Sequence, residues 1–428
     1  MKIAYIYDAL YPFIKGGAEK RYHELGKRLS ADHEVHFISW KFWSGPSIHR
    51  RNGITLHGVG TPRPLYTAGG RRSIRESLDF ALSLLKLYST EKFDVIDCCA
   101  FPYLHMYTAR LLFGLRREPL VMTWHEYWGE YWDEYLGSLA APAKLLERAA
   151  VPLAHSCVAV SELTACRLKE LGGSKLPISV IPNGVNTQDI TNIPAEGPTS
   201  DIIYVGRLLA HKRLELLLEA VAELRGRHPK LSCLIIGSGP ERERLGELTA
   251  KLKLENHVTF AGEIPEDNVY GFLKRSKVFV LPSIREGFGM SVLEALACGV
   301  PAVVVRAPYS AAHEIVADGV NGMVAEPSPR SLAEAISSLL ENPAKRGLMA
   351  EAAQHFVDID ELQTKVGARI AEWTHNEAAY VSCGAAAGLV LSTAACIAGP
   401  RPRQEGPSAL HRRNEVRSHC PQVWAGRL

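Results

Sequence analysis

The feature that most constrains this chain is a regular alternation. Short apolar runs of four to six residues are separated by stretches with helical spacing. Lys2–Tyr7, Glu34–Ser39, Asp94–Cys98, Leu120–Thr123, Ser156–Val160 and Ile178–Ile181 read as strands. Ser73–Tyr88 and Glu162–Leu171 read as helices between them, as does the stretch after Gly16-Gly17, where Tyr22, Leu25 and Leu29 fall on one helical face. Continuous apolar strands separated by helices predict a mostly parallel sheet covered on both faces. The pattern pauses at Asn183–Asn186 and across the polar, Pro- and Gly-containing stretch 187–200, and then resumes. The second series has strands at Ile202–Val205, Leu234–Ile236, Val258–Ala261, Val278–Leu281 and Ala302–Val305, with helices at Arg213–Arg225 and Ser331–Leu340. A chain of 428 residues suits two such domains. The expected division is 1–186, a linker 187–200, a second domain 201–357, a further helix 358–373 (the amphipathic pattern runs over Phe356–Trp373) and an extension 374–428.

Composition excludes several classes. The formal net charge is +3, and residues 399–428 alone carry six Arg and two Glu, so the rest is close to neutral. That is no footprint for duplex nucleic acid. The nine cysteines form no CxxC pair, which argues against a disulfide framework or a zinc site and fits a reducing cytosol. The initial apolar run is too short for a signal peptide. Ala378–Pro400 has no charge and is long enough to span a bilayer, but it is rich in Ala, Gly, Ser and Thr, so a loose extension is expected.

The residues with chemical potential follow strands, where ligands bind in doubly wound sheets. Gly16-Gly17 opens a helix and can bring backbone N–H groups to an anion. Arg207 and Lys212 bracket the loop after Ile202–Val205, offering a planar fork and a point charge for phosphate oxygens. A solvated loop explains these two equally well. Gly237-Ser-Gly-Pro240 resembles a dinucleotide turn, but Pro240 breaks the pattern, so it reads as a tight turn. After Val278–Leu281 come Glu286 in a loop, then Gly287, Phe288 and Gly289, then a helix over Met290–Cys298 that carries Glu294. Helix-terminal N–H groups suit a pyrophosphate, and a carboxylate on the helix suits a ribose diol. The alternative for Glu294 is a simple ion pair.

Together these residues resemble the retaining glycosyltransferases of family 4. Glu286-Gly-Phe-Gly-Met-Ser-Val-Leu-Glu294 is similar to that family's E-x7-E motif. Gly-Gly-Ala-Glu19, Pro182-Asn-Gly-Val185, Val205-Gly-Arg-Leu208 with Lys212, Gly237-Ser-Gly-Pro240 and Asp318-Gly-Val-Asn-Gly322 follow in the family's order over roughly residues 1–373. The resemblance implies an α/β chain of two facing Rossmann-like domains, the GT-B fold, with a deep interdomain cleft. The donor, a nucleotide-diphosphate sugar, would bind the C-terminal domain and the acceptor the N-terminal one.

By that resemblance Arg207 and Lys212 hold the diphosphate, Glu294 the ribose, and Glu286 the donor-sugar hydroxyls with the N–H groups of Phe288 and Gly289. Gly287 belongs to the same donor turn. Gly16 and Gly17 approach the phosphates, and His125 lies near the transferred sugar. The implied activity is a retaining, metal-independent hexosyltransferase with no cofactor. A nucleotide-sugar 2-epimerase and a non-catalytic nucleotide-sugar-binding protein are the alternatives. The nucleotide base, the donor sugar and the linkage stay open. So does the acceptor, whether glycan, lipid-linked sugar or small molecule. The expected location is cytoplasmic, with peripheral association at the membrane's cytoplasmic face left open. One departure stands out: Pro308-Tyr-Ser-Ala-Ala-His-Glu314 keeps a Glu but lacks the Gly-Gly found in many family members.

Overall fold

The computed structural model describes residues 1–354 apart from 68–70, 88–90 and 173–175, together with Val366. The expected helix over Phe356–Trp373 (Val366 aside) and the extension 374–428 lie outside the described residues.

The first sheet is built from β1 (Lys2–Ile6), β2 (Glu34–Ser39), β3 (Ile48–Arg51), β4 (Ile54–Gly58), β5 (Val95–Cys99), β6 (Leu120–Trp124), β7 (Ser156–Ala159) and β8 (Ile178–Val180). Their order is β3-β4-β2-β1-β5-β6-β7-β8, parallel except for the β3–β4 hairpin. The second sheet contains β9 (Ser200–Val205), β10 (Cys233–Ile236), β11 (Val258–Gly262) and β12 (Ser276–Leu281). After a short β13 (Arg285–Glu286) come β14 (Ala302–Val305), β15 (Tyr309–Ser310) and β16 (Gly322–Ala325). The six-stranded order is β11-β10-β9-β12-β14-β16, and β13 pairs with β15 apart from it. Strands such as β6, β10 and β14 are buried along their whole length. That is why they read as unbroken apolar runs rather than alternating ones.

Each sheet has its own apolar core. Tyr5, Phe37 and Trp124 anchor the first, and Tyr204, Leu217 and Phe279 the second. Burying one such aliphatic or aromatic side chain contributes about 1.5–3 kcal/mol. Val366 returns to the first core, packing near Ile3 and Leu25.

The stretch expected as a linker contains a helix, Thr187–Asn192, capped by the Asn186 side chain, and its Ile190 packs on the second core. It also adds the β3–β4 hairpin, turning at Asn52-Gly53 with φ of 50° and 80°, the twist that a two-residue hairpin prefers. Strand order reverses between β1 and β5 in the first sheet and between β9 and β12 in the second. The loops leaving β1, β9 and β12 therefore open at the two switch points, where a crevice forms.

Candidate active site

The C-terminal wall is made by the loops after β9 and β12, which are tied together. The His211 carbonyl accepts from Ile284 N at 3.1 Å and from Ser283 Oγ at 3.3 Å. The first loop ends in a short 3-10 turn, Ala210–Lys212, which aims Lys212 Nζ at Glu286 Oε1, 2.5 Å away. Both side chains are largely sheltered, 16% and 13% exposed. Glu286 is held by pairing of β13 with β15 and by Ala311 N, which donates to its carbonyl at 2.8 Å. Arg207 does not join this pair. Its guanidinium lies 5.7 Å from the ring of Tyr66, which comes from the N-terminal domain. Phe288 packs on the second core. Gly289 caps the helix Met290–Ala297.

The N-terminal wall meets this surface closely. A Cβ on Gly287 would stand 1.8 Å from the His125 carbonyl oxygen, and one on Gly17 would stand 2.8 Å from Met290 Cγ. Only glycine permits the approach at Gly287, where the neighbour is backbone; at Gly17 the Met290 side chain would have to shift. Gly16, in extended conformation, caps the helix Gly17–Leu29. His125 follows β6 and packs edge-on against Tyr22. Burial and the Arg21 charge push its imidazole down to about 3, so it is neutral at ordinary pH. Its buried Nε2 has no hydrogen-bond partner. The Asn-Gly motif has a structural part: Arg21 Nη1 donates to the Pro182 carbonyl (2.8 Å) and to Asn183 Oδ1 (2.9 Å), tying the first domain to the crossover. The second Asn-Gly turn is likewise structural, since Asn321 Oδ1 accepts from Ala317 N and Asp318 Oδ1 from Val324 N ahead of β16.

Several cleft residues escape a reading of the sequence. Lys20, on the helix opened by Gly16-Gly17, crosses the cleft to Glu294 Oε1 (2.9 Å), Glu266 Oε1 (2.5 Å) and the Tyr270 hydroxyl. Burial works against the Lys20 ammonium, but Glu294, Tyr270 and Glu266 outweigh it and lift its pKa above the ordinary lysine range. Tyr270 OH also lies 3.2 Å from Glu294 Oε1. Glu294 is thus ion-paired, but by a lysine of the opposite domain. Arg285 reaches across as well, with Nε 2.5 Å from Glu126 Oε1 and its guanidinium 3.5 Å from the Tyr131 ring centroid. Burial raises the Glu126 carboxyl above the usual range, and Arg285 opposes that rise. Glu314, the acid retained in the altered motif, accepts from Glu162 N (2.9 Å) and Leu163 N (2.8 Å). It caps a helix of the N-terminal domain. The adjacency of Lys20 to Gly16-Gly17 and of Arg285 to Glu286 was the available signal.

The aromatic segment after β6 is mostly structural. Glu147 accepts from Trp128 N, Gly129 N and Trp132 Nε1 at 2.7–3.0 Å and shapes the turn. Among the described residues, one group has metal-ligand spacing: His36, His57 and Glu91. It belongs to β2, β4 and the approach to β5, not to the cleft, and Lys2 Nζ already lies 2.5 Å from Glu91.

Residues 15–189 match Glycosyltransferase Family 4, and residues 187–356 match Glycosyl transferases group 1. Over 232 residues the chain is 30% identical to a GDP-mannose-dependent alpha-(1-6)-phosphatidylinositol monomannoside mannosyltransferase of Mycolicibacterium smegmatis, spanning 50% of this chain and 60% of that protein. Over 376 residues it is 28% identical to glycogen synthase of Mycobacterium tuberculosis, spanning 82% and 88%. In fold it is similar to sucrose-phosphate synthase from Thermosynechococcus elongatus, with TM-score 0.70, 20% identity and coverage of 86% and 98%. Anabaena HepE, crystallised with UDP, gives TM-score 0.66, 20% identity and coverage of 87% and 100%. Two Rossmann-like domains facing across a cleft are the GT-B fold. With consecutive matches running from residue 15 to residue 356, the chain belongs to the family 4, group 1 glycosyltransferases.

Proposed function

We propose that this chain transfers a hexose-type sugar from a nucleoside-diphosphate sugar to an acceptor hydroxyl, with retention of configuration and without a required metal. The observation that carries this reading is the Lys212–Glu286 pair at the mouth of the helix Met290–Ala297, next to Gly287, which meets the His125 backbone carbonyl of the other domain. Cation, carboxylate and helix N–H groups meet there within reach of the other domain. A donor placed on this surface puts its diphosphate near Arg207, Lys212 and the helix terminus, and its sugar hydroxyls on Glu286. As the glycosidic bond breaks, negative charge grows on the leaving diphosphate. Fixed cations and N–H dipoles in a sheltered cleft stabilise that charge most in the transition state. The neutral His125, with Nε2 unpartnered, can hydrogen-bond a hydroxyl of the transferred sugar without adding charge. Glu294 is assigned to the ribose diol, whose arrival displaces the Lys20 bond. Retention is part of the proposal and rests on the family. The carboxylate-separation rule of glycosidases does not bear on it, because Glu294 is assigned to ribose. The glycines of Gly-Gly-x-x-Glu are replaced here, and Glu314 serves as an interdomain cap, so the donor-sugar pocket is lined differently on that side.

Calorimetry with UDP, GDP and ADP, with and without EDTA, tests the site on wild-type protein and Glu294→Ala. The expected result is selective, EDTA-insensitive binding that the substitution weakens. In turnover, donor KM should rise more than kcat falls, since ribose contacts are largely uniform binding. Binding of none of the three nucleotides would remove the reading. The anomeric configuration of the product, read by NMR, tests retention.

A further inference from the structure

Outside the cleft, two buried histidines face each other on the first sheet. In the pairing of β2 with β4, His36 lies opposite Thr55 and His57 opposite Ile38, so both side chains emerge on one face, one step apart along the strands. They are 2% and 6% exposed, and His36 Nδ1 lies 2.7 Å from His57 Nε2. The same face holds Lys2 and Glu34 at the openings of β1 and β2. Glu91 joins them ahead of β5. These strand openings lie at the end of the parallel sheet opposite the loops that line the cleft.

The ring nitrogens have assigned roles. A carboxylate only accepts, so the contact of Glu34 Oε1 at 3.0 Å puts a proton on His36 Nε2. In the neutral ring Nδ1 is then a bare lone pair, and His57 Nε2 donates to it. Moving the His57 proton to its own Nδ1 leaves two lone pairs aimed into one space. Glu91 Oε2 lies 3.8 Å from His36 Nδ1, and the three donor atoms fall within 4.8 Å of one another. A carboxylate on the far nitrogen, as Glu34 is here, orients a metal-bound imidazole. Phe93 packs edge-on against His36 and supplies an apolar wall. Lys2 Nζ, 2.5 Å from Glu91 and 3.4 Å from Glu34, holds the place of a cation between the two acids.

We propose that His36, His57 and Glu91 bind a zinc-class dication, with water completing a tetrahedron. Two imidazoles and a carboxylate are a donor set that zinc accepts, and it needs no cysteine. Ligands about 2.1 Å from a tetrahedral zinc stand roughly 3.4 Å apart, so the two ring nitrogens part and Glu91 closes in, each by less than about 1 Å. Glu91 is 48% exposed and Lys2 sits on a long stem, so that pair can open to admit an ion from solvent. The bound ion ties β2 and β4 to the segment ahead of β5. Its role is to hold this domain together, apart from the cleft, so it does not depend on the proposed transfer reaction.

The untagged full chain, stripped with EDTA and desalted, tests the site by calorimetry with Zn2+ and visible absorption with Co2+. One equivalent should bind with tetrahedral cobalt bands and no sulfur-to-cobalt charge transfer, and the melting temperature should rise with free Zn2+. His57→Gln should weaken Zn2+ binding about 100-fold or more, and Glu34→Gln, which loses only the orienting carboxylate, about tenfold. Lys2→Met should tighten it, because the competing ammonium is gone. Absence of binding overturns the proposal, as does charge transfer from sulfur at the first equivalent, which would place the ion on cysteine. Unchanged affinity in His57→Gln overturns it too. If circular dichroism shows that His57→Gln fails to fold, Glu91→Gln at the exposed edge decides: a loss of about tenfold supports the site, and undiminished affinity removes it. Neither result bears on nucleotide binding in the cleft.

Discussion

Lys20→Met should make nucleotide bind more tightly, although it removes a cation from a site for an anionic ligand. Lys20 Nζ bonds Glu294, Glu266 and Tyr270 and is 18% exposed. Donor ribose and Lys20 compete for the Glu294 carboxylate, so binding costs one of the two charged partners of Lys20 while Glu266 remains. Breaking a fully buried pair costs about 3–5 kcal/mol, and exposed pairs contribute about 0–1 kcal/mol. For this largely sheltered bond, whose lysine keeps Glu266, about 1–2 kcal/mol is the reasonable share, or about 5- to 30-fold in Kd. The same substitution leaves Glu294 and Glu266 without their cation, so the ligand-free protein should melt at lower temperature. Calorimetry with whichever of UDP, GDP or ADP binds, paired with thermal melts, measures both. An unchanged Kd would show that Lys20 and the ligand do not compete. A weakened Kd would show that Lys20 touches the diphosphate itself, and the displacement argument would fall.

Lys212→Ala should lower kcat/KM for donor by about 2–4 kcal/mol, since a cation on the leaving phosphate acts mainly in the transition state; near-normal turnover would take Lys212 out of the site. Gly287→Ala should hold the two domains apart, because its Cβ would meet a backbone oxygen of the opposite wall. Small-angle scattering should show a larger radius of gyration, with activity reduced and nucleotide binding by the second domain largely kept. His125 gives a pH test. Its folded pKa, about 3, lies below the unfolded value, so its contribution to stability is complete above about 6.5 and is lost as pH falls toward 3. His125→Gln should therefore lose less stability than wild type between pH 7 and 4 in urea titrations, by at most about 1.4 kcal/mol per pH unit. Parallel slopes would refute the assignment of a neutral, sheltered imidazole.

Strands buried on both faces were readable because burial demands apolar residues at every position. β2 and β14 match their expected limits, and most other strands shift by a residue or two. The hairpin strand β3 was not readable. Its Ile-His-Arg-Arg is exposed throughout, so no alternation marks it, although Asn52-Gly53 signalled the turn. Arginines on that edge discourage pairing with another chain. The helix in the expected linker was hidden by polar composition, and its one buried side chain, Ile190, is too little for a period.

The same division runs through the site. Local chain geometry determined the Gly16-Gly17 helix start, the Glu286-to-Glu294 turn and helix, and the loop carrying Arg207 and Lys212, because turn chemistry and helix capping act over a few residues. Which of these groups meet was decided by tertiary structure. Lys20 finds Glu294 from 274 residues away, and Glu314 caps a helix 152 residues before it. Arg285 meets Glu126 only because two sheets face each other. Nothing local prefers one such partner over another, since a charged side chain carries the same propensity whichever carboxylate it ends beside. The two buried histidines follow the same rule: each strand turns its own to one face, but only the pairing of β2 with β4 sets them side by side.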